Sequence, residues 1–134
     1  MSEENVEIIR RSNAAFNRGD VAATLEPYSR EIEWRDLQHP PDSPELVRGI
    51  EAVERILSGW LDAFPDLRAD VSEFIDAGDI VVCVINWRGS GKGSGTPVDE
   101  VTAETFEVRH GEIVRATFGY RSKEEALEAA RLRE

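Results

Sequence analysis

Apolar positions recur at helical spacing near the start of the chain, where Val6, Ile9 and Phe16 share one face with Asn13. Ser2 is placed to cap this helix, and Glu3 and Glu4 in its first turn suit the positive end of the helix dipole. Asn17-Arg18-Gly19 ends it, with Gly19 suited to a left-handed C′ position. Asp20 then caps a short second helix carrying Val21, Leu25 and Tyr28, stopped near Pro27. At residues 31–36 (Glu-Ile-Glu-Trp-Arg-Asp) the period changes to two, so Ile32, Trp34 and Asp36 point one way and Glu33 and Arg35 the other. A loop holding Pro40, Pro41 and Pro44 follows. Gly49 introduces a third helix whose apolar stripe is Val53, Ile56, Leu57, Trp60 and Phe64, ending at Pro65.

Beyond Pro65 the pattern is that of strands, over about 67–76, 79–90, 98–109 and 112–121, long enough to bend. Ala77-Gly78-Asp79 and His110-Gly111 carry tight-turn chemistry and predict antiparallel hairpins. Gly89 to Gly95 reads Gly-Ser-Gly-Lys-Gly-Ser-Gly, a strand end and open loop. It is not a phosphate cradle, because Gly-Lys-Ser/Thr opening a helix is missing and Thr96-Pro97 follows. Ser122-Lys123-Glu124-Glu125 is a capping box for a last helix with Ala126, Leu127 and Ala130. Helix, helix, strand, helix and four antiparallel strands make an α+β class. The 134 residues suit one domain, 1–134. The run Ile80 to Ile85 is apolar on both faces and predicts a strand covered on both sides. The helices supply one cover. A second copy meeting it sheet to sheet about a two-fold axis would supply the other, so a homodimer is expected.

Composition narrows the partners. Apolar residues at 40% and charged ones at 32% are ordinary for a globular chain. The formal net charge of −11 repels phosphate backbones and anionic lipid, so neither nucleic acid nor membrane is an expected partner. No apolar stretch approaches a membrane span, and Met1-Ser2-Glu3-Glu4 has no basic or apolar leader pattern, so a cytoplasmic location is expected. Cys83 is the one cysteine and, within its apolar run, reads as a buried core residue. No Cys/His cluster has metal-ligand spacing, so neither a metal nor a cofactor is expected.

Several segments carry a resemblance: Ala15-Phe16-Asn17-Arg18-Gly19-Asp20, Glu31 to Asp36, Arg48-Gly49-Ile50-Glu51-Ala52-Val53, Phe106 to Val114 and Glu124-Glu125-Ala126-Leu127. In order and spacing they resemble the SnoaL-like branch of the nuclear transport factor 2 superfamily, which includes ketosteroid isomerases, limonene epoxide hydrolases and polyketide cyclases. The resemblance implies a cone-shaped fold, a curved antiparallel (mixed) sheet wrapped around N-terminal helices, with a pocket between the helices and the concave face. It does not fix an activity, because such a fold hosts enzymes, binders and scaffolds alike.

With that pocket, strand parity offers a lining of Trp34 and Asp36, then Glu104, Phe106 and Val108, then Ala116, Phe118 and Tyr120. Phe16, Trp60 and Phe64 face them from the helices, and Asn13 is a hydrogen-bond donor among them. So many aromatics suit a flat, mostly apolar organic ligand; the alternative is that they fill the core. Asp36 matches the general base of the isomerase pattern, and apolar walls would raise its pKa. Otherwise it caps the following loop or pairs with Arg35 or Arg48. Glu104, or the Tyr120 hydroxyl, would be the donor to developing charge, unless a strand twist aims Glu104 at solvent. The isomerases' helix-one tyrosine falls near Ser12 or Asn13 here, and their second acid near Thr102 or Ala103. The Asp-Arg-Asp trio of the epoxide hydrolases has no full counterpart, and the parity of Arg115 points outward. His39, beside the pocket mouth, reads as a solvated loop histidine. Two functions follow: a cofactor-free acid–base enzyme of isomerase, cyclase or hydratase type, or a non-catalytic ligand-binding or dimeric scaffold domain.

Overall fold

The computed structural model describes residues 2–91 and 97–133, without the side chains of Ser2 and Arg133. The Ser2 cap and most of the glycine-rich run therefore lie outside the described residues. Helix α1 (Ser2–Asn17) ends where Gly19, at φ 78°, lets the chain reverse. The Gly19 N–H donates to the Phe16 carbonyl and the Asp20 N–H to that of Ala15. Asp20 caps α2 (Val21–Leu25), its carboxylate accepting the Ala23 N–H at 3.0 Å. Tyr28 does not belong to that helix. Pro27 has no N–H to extend it, and Tyr28 opens strand β1 (Tyr28–Asp36).

A three-residue strand, β2 (Leu46–Arg48), pairs antiparallel with β1, where the sequence pattern predicts only loop. Then come α3 (Ile50–Ala63), β3 (Arg68–Ala77), β4 (Ile80–Ser90), β5 (Pro97–Arg109), β6 (Glu112–Tyr120) and α4 (Lys123–Arg133). The long strands begin and end within a residue or two of the predicted spans. The turn chemistry accounts for that: His110 and Gly111 both take positive φ, 53° and 79°, the backbone a two-residue hairpin needs. The six strands form one mixed sheet in the order β2-β1-β6-β5-β4-β3, parallel between β1 and β6 and antiparallel elsewhere.

The concave face packs Ile32, Trp34, Val81, Cys83, Ile85 and Phe106 against Ile9 and Phe16 of α1 and Val53 and Leu57 of α3. The opposite face of β4 meets α4, where Ile80, Val82 and Ala103 bury Ala126 and Ala130. The second cover expected from a partner copy is thus supplied by the chain's own last helix. Asn17 ties α1 to the sheet edge. Its amide accepts the Ala69 N–H at 2.8 Å and donates to the Ala69 carbonyl at 3.0 Å. Asn13 donates to the same carbonyl at 3.1 Å.

Candidate functional site

Alternation along β5 decides where the chemistry lies. Glu100, Thr102, Glu104 and Phe106 stand opposite Trp87, Ile85, Cys83 and Val81 of β4, and cross-strand partners share a face. That face is the concave one. On the far side of β6, Asp36 pairs with Phe118. Asp36 and Glu104 therefore flank β6 from either side, two strand spacings or about 10 Å apart along the sheet. Both line one open cleft of about 300 Å³. Its walls are Trp60 of α3, Phe64 just beyond that helix, Leu67, Trp87, Val98 and Phe118, with Gln38, Glu100, Thr102 and Gly119 as further polar lining. Among the described lining residues there is no lysine or arginine.

Glu104 is 1% exposed. One carboxyl oxygen, Oε2, accepts the Thr102 hydroxyl and, more distantly, the Gly119 N–H at 3.4 Å. Thr102 is oriented in turn, because the Trp87 indole N–H donates to its oxygen at 2.9 Å. An indole only donates, so the hydroxyl proton is directed to Glu104. The other oxygen, Oε1, is buried with no hydrogen-bond partner. Burial pushes the carboxyl up from 4.5 to about 7, and the Glu100 carboxylate adds to the rise. The Thr102, Gly119 and Trp87 donors favour the anion and do not offset that burial. Since Oε2 already accepts, the proton of the neutral form belongs on Oε1.

Asp36 is half-buried, and its Oδ1 accepts the Gln38 N–H at 2.9 Å. It caps that turn while lining the cleft. The arginines beside it are engaged elsewhere, Arg35 with Glu45 and Arg48 with Glu33. Arg115 faces outward to Glu33 and Glu107, as its parity requires. The His39 ring, partly exposed, lies 2.8 Å from the Ser43 carbonyl.

The remaining predicted residues divide between two compartments. Asn13, Phe16, Trp34 and Phe106 line a separate inner cavity of about 40 Å³, room for a water or two. Phe64 lines the cleft, and Trp60 and Phe118 line both spaces together with Trp87. These last three rings meet in pairs with centroids 5.6 to 6.2 Å apart, and form the partition between cavity and cleft. Phe118 is also stacked on Trp34 at 4.3 Å.

Tyr120 is not in the site. It pairs with Ala103 on the opposite face and packs with the cluster beneath α4. The cause is a bulge between the Ala103 and Thr105 pairings, where Gly119 at φ 94° shifts parity by one residue. Trp87, Thr102 and Glu100 lie outside the sequence-predicted site. Their signal was parity: Trp87 continues the inward series of Val81, Cys83 and Ile85, and Glu100 and Thr102 that of Glu104.

The SnoaL-like domain family model matches residues 9–116. The chain belongs to the SnoaL-like family. Among solved structures, this SnoaL-like chain is similar to Bal32a from a soil-derived mobile gene cassette, at 19% identity and TM-score 0.80, over 95% of this chain and 96% of that one. AclR of Streptomyces galilaeus, described as a proposed hydroxylase, matches at 19% identity and TM-score 0.76 over 98% of each chain. A proposed isomerase from Bacillus subtilis matches at 19% and 0.74, over 87% of this chain and 85% of its own. Such identities carry the fold alone. No curated protein matches the chain. Among the described residues, no helix is long and apolar enough to cross a membrane.

Proposed function

We propose that this SnoaL-like protein is a cofactor-free acid–base enzyme of the isomerase, cyclase or hydratase type, acting on a small, largely apolar organic substrate in the cleft. The supporting observation is Glu104: a buried carboxyl with one anchored oxygen, one free oxygen and a pKa of about 7, in the wall of an aromatic cleft. Such a group is half protonated at neutral pH and exchanges its proton with little driving force in either direction. In an isomerisation, Asp36 removes the proton from a carbon beside a carbonyl. The electron pair moves onto the carbonyl oxygen, which receives a hydrogen bond from Oε1–H of neutral Glu104, and the proton returns to a neighbouring carbon. Trp60, Phe64, Trp87 and Phe118 hold the apolar body and thin the water around the reacting atoms.

The test is proton exchange itself. A panel of cyclic ketones in D₂O, followed by NMR, should show α-hydrogen exchange that Asp36→Asn and Glu104→Gln each slow about 100-fold or more. Exchange equal to buffer in the wild-type protein would end the enzymatic reading and leave the ligand-binding one. Location in the cytoplasm and self-association through the sheet beyond α4, where Val101 is 59% exposed, complete the proposal. Sedimentation at micromolar concentration checks the association.

A further inference from the structure

The cleft's charge is one-sided. Asp36 enters from β1, Glu100 and Glu104 from β5, and the described lining offers no basic side chain in return. Beyond the cleft several carboxylates on β1, β5 and the loop before β2 are answered: Glu33 and Glu107 share Arg115, and Glu45 has Arg35. Glu104, one of the lining residues, keeps Oε1 buried and unpartnered. Leaving an acceptor in that state costs free energy unless something arrives to use it. The rest of the wall is aromatic, with Trp60, Phe64, Trp87 and Phe118 presenting π-surface. Aromatic faces attract cations, and they favour soft, weakly hydrated ones. Among the described residues no three or more histidine, cysteine or acidic side chains stand close enough together to hold a metal ion. A bulky charge spread over alkyl groups fits this wall better than a compact ion.

We propose that the cleft binds organic ammonium ions, so that the substrate carries a protonated or quaternary amine within its apolar body. The inference rests on the same cleft being the reactive site. It adds the substrate class: an amine held by ring faces and by the Asp36 and Glu100 carboxylates, within the field of a protein whose net charge is −11. Binding is then linked to Glu104. A cation beside it favours the ionised carboxylate, so choline, which has no carbonyl to accept from Oε1–H, draws the proton off. A substrate carbonyl at Oε1 favours the neutral form and holds it. Asp36 and Glu100 are the ionisable groups that share the cleft with it, and the Cys83 thiol across the strand pair is held neutral by burial. Trp60 from α3, Phe64 at its C-cap, Trp87 from β4, and Phe118 and Gly119 from β6 carry no charge.

The test compares choline with its uncharged isostere 3,3-dimethylbutan-1-ol, using the indole N–H resonances of Trp60 and Trp87 in the intact protein. At pH 8 the ammonium should bind about tenfold tighter or more, and that preference should shrink as pH falls through 7. Glu100→Gln alters an exposed side chain, leaves the fold intact and should weaken choline about two- to threefold without touching the alcohol. Equal binding of the two probes, or a preference that Asp36→Asn and Glu100→Gln leave unchanged, overturns the inference. Titration of the Glu104 carboxyl by ¹³C NMR separates the two failures. If choline shows no preference while Glu104 titrates near 7, the ammonium class falls and the acid–base reading stands. A titration near 4.5 removes the acid–base reading, whatever choline does.

Discussion

At the residue scale, the division of labour between the two Glu104 oxygens explains how one carboxyl is both buried and usable. Oε2 is held by Thr102, and Thr102 by Trp87, so the side chain cannot rotate to share its proton freely. Stability should record the consequence. A carboxyl whose folded pKa is raised from 4.5 to about 7 is protonated in both states below 4.5, and its contribution is then complete. As pH rises through that value the unfolded chain ionises first, and stability falls until the folded carboxyl also ionises near 7. At roughly 1.4 kcal/mol per pKa unit the loss from this group is on the order of 3 kcal/mol, and it is flat above pH 7. Urea unfolding at pH 4.5 and 8 measures it. Glu104→Gln should abolish this step and be the more stable protein at pH 8. Thr102→Val removes a donor to the anion while keeping shape, and should raise the Glu104 pKa by about one unit in ¹³C NMR. An unmoved titration would reduce Thr102 to packing. Much of this was legible in the sequence. Period-two alternation puts Asp36 and Glu104 on the concave face. What alternation does not encode is which oxygen is anchored, since that needs Thr102 and Trp87 brought together across two strands.

At the element scale, the site depends on a break in regularity. Had β6 run straight, Tyr120 would have followed Phe118 into the cleft, as its parity predicts. Gly119 at φ 94° instead turns the strand, sends Tyr120 under α4 and aims its own N–H toward Glu104. A Cβ there would also come within 3.2 Å of the Gln38 side chain, whose amide donates to the Gly119 carbonyl. Gly119→Ala should therefore cost about 1–2 kcal/mol in thermal or urea unfolding. It should also raise the Glu104 pKa, a second effect that mere backbone strain elsewhere would not give. Single glycines inside a strand pattern hint at bulges, but the direction of the shift follows only from the pairing. The edge strand β3 depends on a different device. Asn17 pairs with both the N–H and the carbonyl of Ala69, a buried residue. In the sequence it reads as part of a helix end. Asn17→Ala leaves the Ala69 N–H without this acceptor and should cost about 2 kcal/mol. Strand β2 had no signal at all: three residues after a proline cluster show no period, and they are fixed by pairing with β1 and by Val47 packing against the core.

At the scale of the whole molecule, two kinds of negative charge behave differently. Glu3, Glu4 and Glu7 on α1 and Glu124, Glu125 and Glu128 on α4 contribute to a formal net charge of −11. Surface pairs such as Arg11 with Glu7 and Arg131 with Glu128 answer a few of them. Exposed pairs contribute about 0–1 kcal/mol each, whereas the unanswered charges repel over a screening length of about 10 Å at 0.1 M salt. Repulsion should win, so raising NaCl from about 10 mM to about 0.5 M at pH 8 should raise Tm by a few degrees. Salt that weakened the protein would mean the ion pairs matter more than the net charge. Glu104 owes its raised pKa first to burial, which salt screens far less than surface charge, so its fall in stability between pH 4.5 and 7 should keep its size at both salt concentrations. Ammonium binding belongs to the outer field and should weaken as salt rises. Salt therefore separates the charge that draws a ligand to the cleft from the proton that awaits it there, in one protein and without a substitution.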